Sequence, residues 1–363
     1  MEGKKCFGYD NEKGIWEGSC IGEDRSINRK RWLEEVFPEW GLYLNKQIEH
    51  TKVQPGKIAM WWLGAASWAM KTPAGLIFLI DNYSGPSLYT KYAYCGVCRT
   101  SGAQELDVLR LNPHVIDPWG FKRLDTVFCS HHHGDHCDIY TLKAATQTTQ
   151  CQFVGPKSAV ELMKKWGVPD GRITQVKLGD SLDFEDTKVS VLMNYDRIAS
   201  ITGVENPGAS RPLGEVAVSF LFHTPGGNIL FLADTLYYNG YRAIGDKYNV
   251  DVVTLNMGHN APGVTDKLSP FDAFRVAQAV AAKVVIPDHY DNWASSQIDP
   301  RQLVRIVRDN DPSMKVVILQ WGAKFVYPDD QDIGYYKYPD WRERFRPDYS
   351  WEYGEAEKIG IKR

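Results

Sequence analysis

The sequence predicts an α/β protein, with sheets packed between helices in one compact domain, residues 29–363, behind an extension over residues 1–28. Three observations carry this. Short apolar runs that end in Gly or Asp recur through the chain and have the length of buried strands. Helix-start signals fall between several of them, as in strand–helix units. No Gly/Pro/Ser-rich linker and no fixed-period repeat divides the chain.

The elements follow in order. Residues 1–28 are polar and Gly-rich, without sustained periodicity, and read as an arm whose Trp16 and Cys20 are available for homo-oligomer contacts. Helical spacing begins near Arg31, with Trp32, Leu33, Val36 and Phe37 on one side and Pro38 limiting it. Residues 58–64 and 76–81 read as buried strands. Further strands are expected at 126–130, 152–154, 188–193, 217–222, 229–233, 250–255, 283–286 and 315–319. Residues 158–166 read as a helix closed by Gly167. Ser269-Pro270-Phe271-Asp272 is a capping-box start, because the serine oxygen can accept the Asp272 amide and proline suits the first helical position. That helix is expected to run to about residue 282, with Phe271, Phe274, Val276 and Val280 available for burial. Asp299-Pro300 opens another. The Trp61, Trp62 and Trp68 cluster is assigned to core packing.

Composition narrows the function. The 363 residues are 43% hydrophobic and 24% charged, which is ordinary for a globular protein. A net charge of −3 provides no sequence-wide field for a polyanion, so nucleic acid is not an expected partner. The longest apolar runs, such as 76–80 and 229–233, fall far short of the ~18 residues needed to span a bilayer, so no membrane partner is expected either. The N-terminus lacks an apolar signal core, and the seven cysteines, an odd number, read as free thiols. A cytoplasmic protein is the expectation.

The densest chemical signal follows the strand at 126–130: His131-His132-His133-Gly134-Asp135-His136. Imidazole and carboxylate together suit a divalent transition metal, whereas an all-oxygen set would suit Mg²⁺ or Ca²⁺. His131 and His133 can point to one side of a turn, and Asp135 and His136 can reach a neighbouring position after Gly134. Two later strands end in comparable residues, Asp234 and His289.

The H-x-H-x-D-H pattern resembles the metallo-β-lactamase superfamily, and Asp234 and His289 match, in order and distance, its bridging Asp and final His. The resemblance implies a four-layer αβ/βα sandwich with the ligands at one edge. It also exposes a gap. The superfamily's usual third His is missing, for no histidine lies between His136 and His223, and residues 191–197 supply Asp196-Arg197 instead. His223 reads as part of a hairpin. The centre is therefore expected to hold one metal firmly, or a second weakly with Asp196 or water.

Several segments narrow the resemblance to the L-ascorbate-6-phosphate lactonase family: Phe37-Pro38-Glu39-Trp40-Gly41, Ala59-Met60-Trp61-Trp62-Leu63-Gly64, Val154-Gly155-Pro156-Lys157, Trp166-Gly167-Val168-Pro169, Asp196-Arg197, Gly263-Val264-Thr265-Asp266-Lys267 and Ala282-Lys283-Val284-Val285-Ile286-Pro287. This implies opening of a small sugar-phosphate lactone, L-ascorbate 6-phosphate, to 3-keto-L-gulonate 6-phosphate, with Mn²⁺ preferred and Zn²⁺ the alternative. The expected metal ligands are His131, His133, Asp135, His136, Asp234 and His289. Asp135 is also the candidate base and His259 the candidate proton donor. Arg197, Lys267 and Lys324 are the candidates for the substrate phosphate, with Arg211 behind them. Residues 82–110, which contain Cys95 and Cys98, and 203–211 depart from the family pattern. Another lactone, a phosphodiester, or sugar-phosphate binding without catalysis are the competing readings.

Overall fold

A computed structural model describes residues 8–10, 15–17, 39–86, 109–202, 209–260 and 265–334. The expected helix near residue 31 and the Cys95–Cys98 pair lie outside the described residues. Within the predicted extension, β1 (Gly8–Asp10) and β2 (Ile15–Glu17) pair antiparallel, with Tyr9 opposite Trp16.

Six strands follow for a first sheet: β3 (Ile58–Gly64), β4 (Ser67–Lys71), β5 (Ile77–Ile80), β6 (Thr126–Phe128), β7 (Gln152–Gly155) and β8 (Ile173–Gln175). A second sheet takes β9 (Ser181–Asp183), β10 (Lys188–Met193), β11 (Val218–Thr224), β12 (Gly227–Phe231), β13 (Val252–Asn256), β14 (Val284–Asp288) and β15 (Lys315–Val316). The last strand, β16 (Lys324–Tyr327), returns to the edge of the first sheet. The orders are β16-β3-β4-β5-β6-β7-β8 and β15-β14-β13-β12-β11-β10-β9. Each sheet is antiparallel through four strands and parallel through the remaining ones.

Side-chain alternation divides these strands between layers. Ile58, Met60 and Trp62 of β3 enter the core between the sheets, where they meet Phe220 and Phe222 of β11 and Ile286 of β14. Ala59, Trp61 and Leu63 face the other way, under Leu44 and Ile48 of the helix Glu39–His50 and Val160 and Met163 of the helix Lys157–Lys165. Leu221, Leu230, Val253 and Val285 cover the outer face of the second sheet, against Phe274 of the helix Pro270–Ala279 and Leu303 of the helix Arg301–Asn310. Both sheets are thus hydrophobic on two faces, and helix, sheet, sheet and helix make the expected four layers.

Local signals hold up in detail. Ser269 Oγ accepts from the Asp272 amide. Gly167 follows its helix with φ of 81°. Asp299 accepts from the Arg301 amide at 2.9 Å. Trp61, Trp62 and Trp68 are fully buried, and each indole N–H donates to an internal oxygen: Gln47, the Ala65 carbonyl and Asp288. His223 ends the β11–β12 hairpin and bonds Ser190 and Asn228. Two expectations need correction. The capping-box helix stops at Ala279, and Phe271 is 53% exposed because Ala273, Phe274, Val276 and Ala277 form the buried face and Phe271 lies well round the helix from them.

Candidate metal centre

Strand ends bring the site together. The chain leaves β6 directly into His131–His136, leaves β12 toward Asp234, and leaves β14 at His289. Three non-glycine residues at these exits take left-handed backbone: Asp81 after β5 (φ 47°), Ala233 (φ 62°) and His289 (φ 62°). Such conformations are costly for L-residues and cluster at sites where side chains must be aimed. Here they turn Asp81, Asp234 and His289 toward one another.

The expected ligands converge in a buried cluster. His131 Nε2 lies 2.9 Å from His133 Nδ1, and His136 Nε2 lies 3.1 Å from His289 Nε2. Asp234 joins both sides, with Oδ2 3.3 Å from His136 Nε2 and Oδ1 3.2 Å from His289 Nε2. Asp135 Oδ2 is 3.4 Å from His289 Nε2. Four groupings among the described residues are tight enough for an ion: Asp135–His136–His289, His131–His136–Asp234, His131–His133–Asp196 and His133–Asp234–Asp266. Asp196 therefore stands where the third His was sought. It caps the helix Arg197–Ile201 by accepting from the Ala199 amide, and its Oδ2, buried and without a hydrogen-bond partner, is 3.6 Å from His131 Nε2.

Electrostatics fits a cation. Burial pushes the Asp196 carboxyl well above its ordinary range, reinforced by Asp234 and Asp266. Burial opposes the charged form of His136, yet Asp234, Asp135 and Asp81 outweigh it and raise that imidazole well above its ordinary value. For Asp135 and Asp234, burial acts upward but neighbouring imidazoles, and for Asp234 also Lys267, hold both carboxyls below the usual range. Four imidazoles and several carboxylates crowded away from water are the donor set of a divalent metal, and Asp196 Oδ2 is the orphaned atom that one would satisfy.

Further side chains hold the candidate ligands. Asp81 Oδ2 accepts from His136 Nδ1 at 2.8 Å and from Ser130 Oγ at 2.5 Å, while Ser130 Oγ lies 2.9 Å from His131 Nδ1. Asn292 Nδ2 donates to Asp135 Oδ2 at 2.9 Å. None of Asp81, Ser130 or Asn292 was singled out from the sequence. Asp81, an Asp at a strand end, was the one with a visible signal.

The other expected residues are placed as follows. Lys267 is buried, with Nζ 2.6 Å from Asp234 and 3.3 Å from Asp266, so its charge is committed to carboxylates rather than offered to a phosphate. Those carboxylates raise its pKa against the effect of burial. Arg197 is exposed at the first turn of its helix. Arg211 pairs with Glu161 at 3.0 Å. Lys324 sits on edge strand β16, opposite Trp61. His259 is exposed, and its backbone N–H donates to the Ser296 carbonyl. Among the described residues no helix is long and apolar enough to cross a membrane.

Comparison with known proteins agrees with this geometry. The beta-lactamase superfamily domain model matches residues 102–290. The Salmonella choleraesuis protein named probable L-ascorbate-6-phosphate lactonase UlaG is 36% identical over 335 residues, covering 87% of this chain and 94% of its own. The protein of that name from Shigella flexneri is also 36% identical, over 332 residues, with the same coverage. Among solved structures, a possible metal-dependent hydrolase from Veillonella parvula superposes with a TM-score of 0.56 at 16% identity, covering 75% of this chain and 99% of its own. The isothiocyanate hydrolase from Delia radicum gut bacteria gives 0.55 at 18%, covering 74% and 98%. These two share the fold. With its two sheets, its cluster of imidazoles and carboxylates, and relatives matched along most of its length, the chain is a metallo-β-lactamase-fold hydrolase and belongs to the L-ascorbate-6-phosphate lactonase family.

Proposed function

We propose that the protein is a metal-dependent lactonase that opens L-ascorbate 6-phosphate to 3-keto-L-gulonate 6-phosphate in the cytoplasm. The observation that supports this is the overlap of tight groupings drawn from His131, His133, Asp135, His136, Asp234 and His289, all buried except the half-buried His133. The names of the relatives supply the substrate. Asp196 adds an oxygen donor in place of an imidazole, which favours the harder Mn²⁺ over Zn²⁺. A divalent ion held there supplies a Lewis acid and brings the pKa of water toward ~7.

The chain's own groups do the rest. Asp135, fixed by the Asn292 amide, takes the proton of the attacking water. The water oxygen bonds to the lactone carbonyl carbon, the acyl C–O bond of the ring breaks, and the ring oxygen leaves on its saturated carbon as an alkoxide that takes up a proton; the enediol then tautomerises to the 3-keto acid. An alkoxide is a poor leaving group, so its departure calls for a proton donor, a role assigned to exposed His259. Arg197 leads the phosphate candidates, since it is exposed next to Asp196 in the chain and a planar fork matches phosphate oxygens. Lys324 and Arg211 stand behind it.

The test is turnover of L-ascorbate 6-phosphate by protein stripped of metal and refilled with Mn²⁺ or Zn²⁺, alongside His133→Ala. Loss of the enediol absorbance that requires Mn²⁺ and is absent in the variant is the expected result. No turnover with a loaded centre refutes the lactonase assignment and turns attention to another lactone or a phosphodiester.

A further inference from the structure

We propose that Thr202 is a positioning residue that fixes the tautomer of His133, so that Nδ1 rather than Nε2 faces the metal centre. The inference rests on the reading of His133 as a ligand. Thr202 closes the helix Arg197–Ile201, and its Oγ1 lies 2.9 Å from the Ile198 carbonyl oxygen one turn back. A carbonyl oxygen only accepts, so the single hydroxyl proton points there and Oγ1 keeps its lone pairs for other donors. Two imidazoles reach that oxygen, His133 Nε2 at 2.8 Å and His132 Nε2 at 3.2 Å. Both must then carry a proton on Nε2. His133 Nδ1 is left unprotonated, on the side where His131 Nε2 lies 2.9 Å away.

The same logic governs the neighbouring imidazole. Ser130 gives its hydroxyl proton to Asp81, so Ser130 Oγ accepts from His131 Nδ1 and the lone pair of His131 Nε2 also turns inward. Two nitrogen lone pairs therefore converge, an arrangement that is unfavourable until a cation draws on both. Without the Thr202 hydroxyl, His133 is free to move its proton to Nδ1 and hydrogen-bond to His131 Nε2 instead. That alternative satisfies both rings and must be undone before a metal binds. Thr202 excludes it in advance. Metal-ligating histidines commonly have the second ring nitrogen fixed in this way, by a partner whose loss weakens metal binding.

Three variants test this. Thr202→Val keeps the shape and removes the acceptor, Thr202→Ser restores it, and His133→Ala removes the proposed ligand. Two readouts are taken on the full chain: the imidazole ¹⁵N shifts of His133 in metal-free protein, and Mn²⁺ and Zn²⁺ affinity by competition with a chelator. For T202V the expected results are a mixture of His133 tautomers and affinity roughly 10–100-fold weaker. T202S is expected to keep both the Nε2–H tautomer and wild-type affinity. The proposal is overturned if T202V binds metal as wild type does, or if T202S loses as much as T202V, which marks a merely structural role. Unchanged affinity in H133A refutes the reading of His133 as a ligand, and the proposal with it.

Discussion

One buried carboxyl outside the proposed ligand set, Asp138, is expected to make stability depend on pH. Asp138 caps the helix Ile139–Thr148, accepting from the Thr141 amide at 2.8 Å, and burial raises its pKa to about 6. A raised carboxyl favours the folded state only while protonated. Its contribution is therefore complete below about pH 4 and is lost as pH rises through about 6. The span corresponds to at most ~3 kcal/mol. Asp138→Asn retains a capping oxygen without the ionisation, so thermal unfolding at pH 4 and pH 8 is expected to show the variant gaining on wild type at the higher pH. Asn292→Ala removes the donor to Asp135, and steady-state kinetics are expected to show kcat reduced roughly tenfold or more with the fold retained. Residues of this kind differ in how far the sequence reveals them. Four histidines in six positions announce a metal site by density alone. Asp81, Asn292 and Thr202 are ordinary strand-end and helix-end residues whose partners lie 55, 157 and 69 positions away, and only the fold brings them together.

Among elements, legibility follows the strength of the local pattern. Strand β3 was readable to the residue because seven apolar or small positions end in a glycine. Strands β8 and β9 are three residues each, with no run to detect, and β16 is four residues at a sheet edge. The helix Ile139–Thr148 escaped notice because its buried positions are Thr141, Leu142, Ala144 and Ala145, too small to make an apolar stripe. The helix Glu39–His50 begins just after Pro38, the residue read as the limit of an earlier helix. The central strands carry the most packing. Phe220 of β11 is fully buried with its ring edge-on to Phe128 of β6 at 5.1 Å, so it ties the two sheets together. Phe220→Ala is expected to lower stability by about 3–5 kcal/mol in denaturant unfolding, with the midpoint moving and the slope held.

The whole molecule depends on balance at its centre. Asp135, Asp196, Asp234 and Asp266 are buried together, and among the described residues Lys267 is the ammonium paired with this cluster. A divalent ion that binds the folded chain and not the unfolded one stabilises it by mass action, on the order of 4 kcal/mol at a free concentration a thousandfold above Kd. Chelation is therefore expected to lower Tm in scanning calorimetry, and Mn²⁺ to restore it; a Tm indifferent to metal would contradict the centre described here. Sheets packed between helices were legible because strands such as β3 and β5 are unbroken apolar runs, while the four layers were legible through the family resemblance. The pairing of β16 with β3 was not, because it joins the last strand of the two sheets to the first one in the chain.

The proposed ligands also carry a timetable. The first four belong to the exit of β6, Asp234 to the second sheet, and His289 follows His136 by 153 positions. On a ribosome, the early histidines emerge long before the partners that complete the centre. The full proposed set exists only once both sheets have formed, so capture of a metal by it is expected late in biosynthesis, after the second sheet has folded.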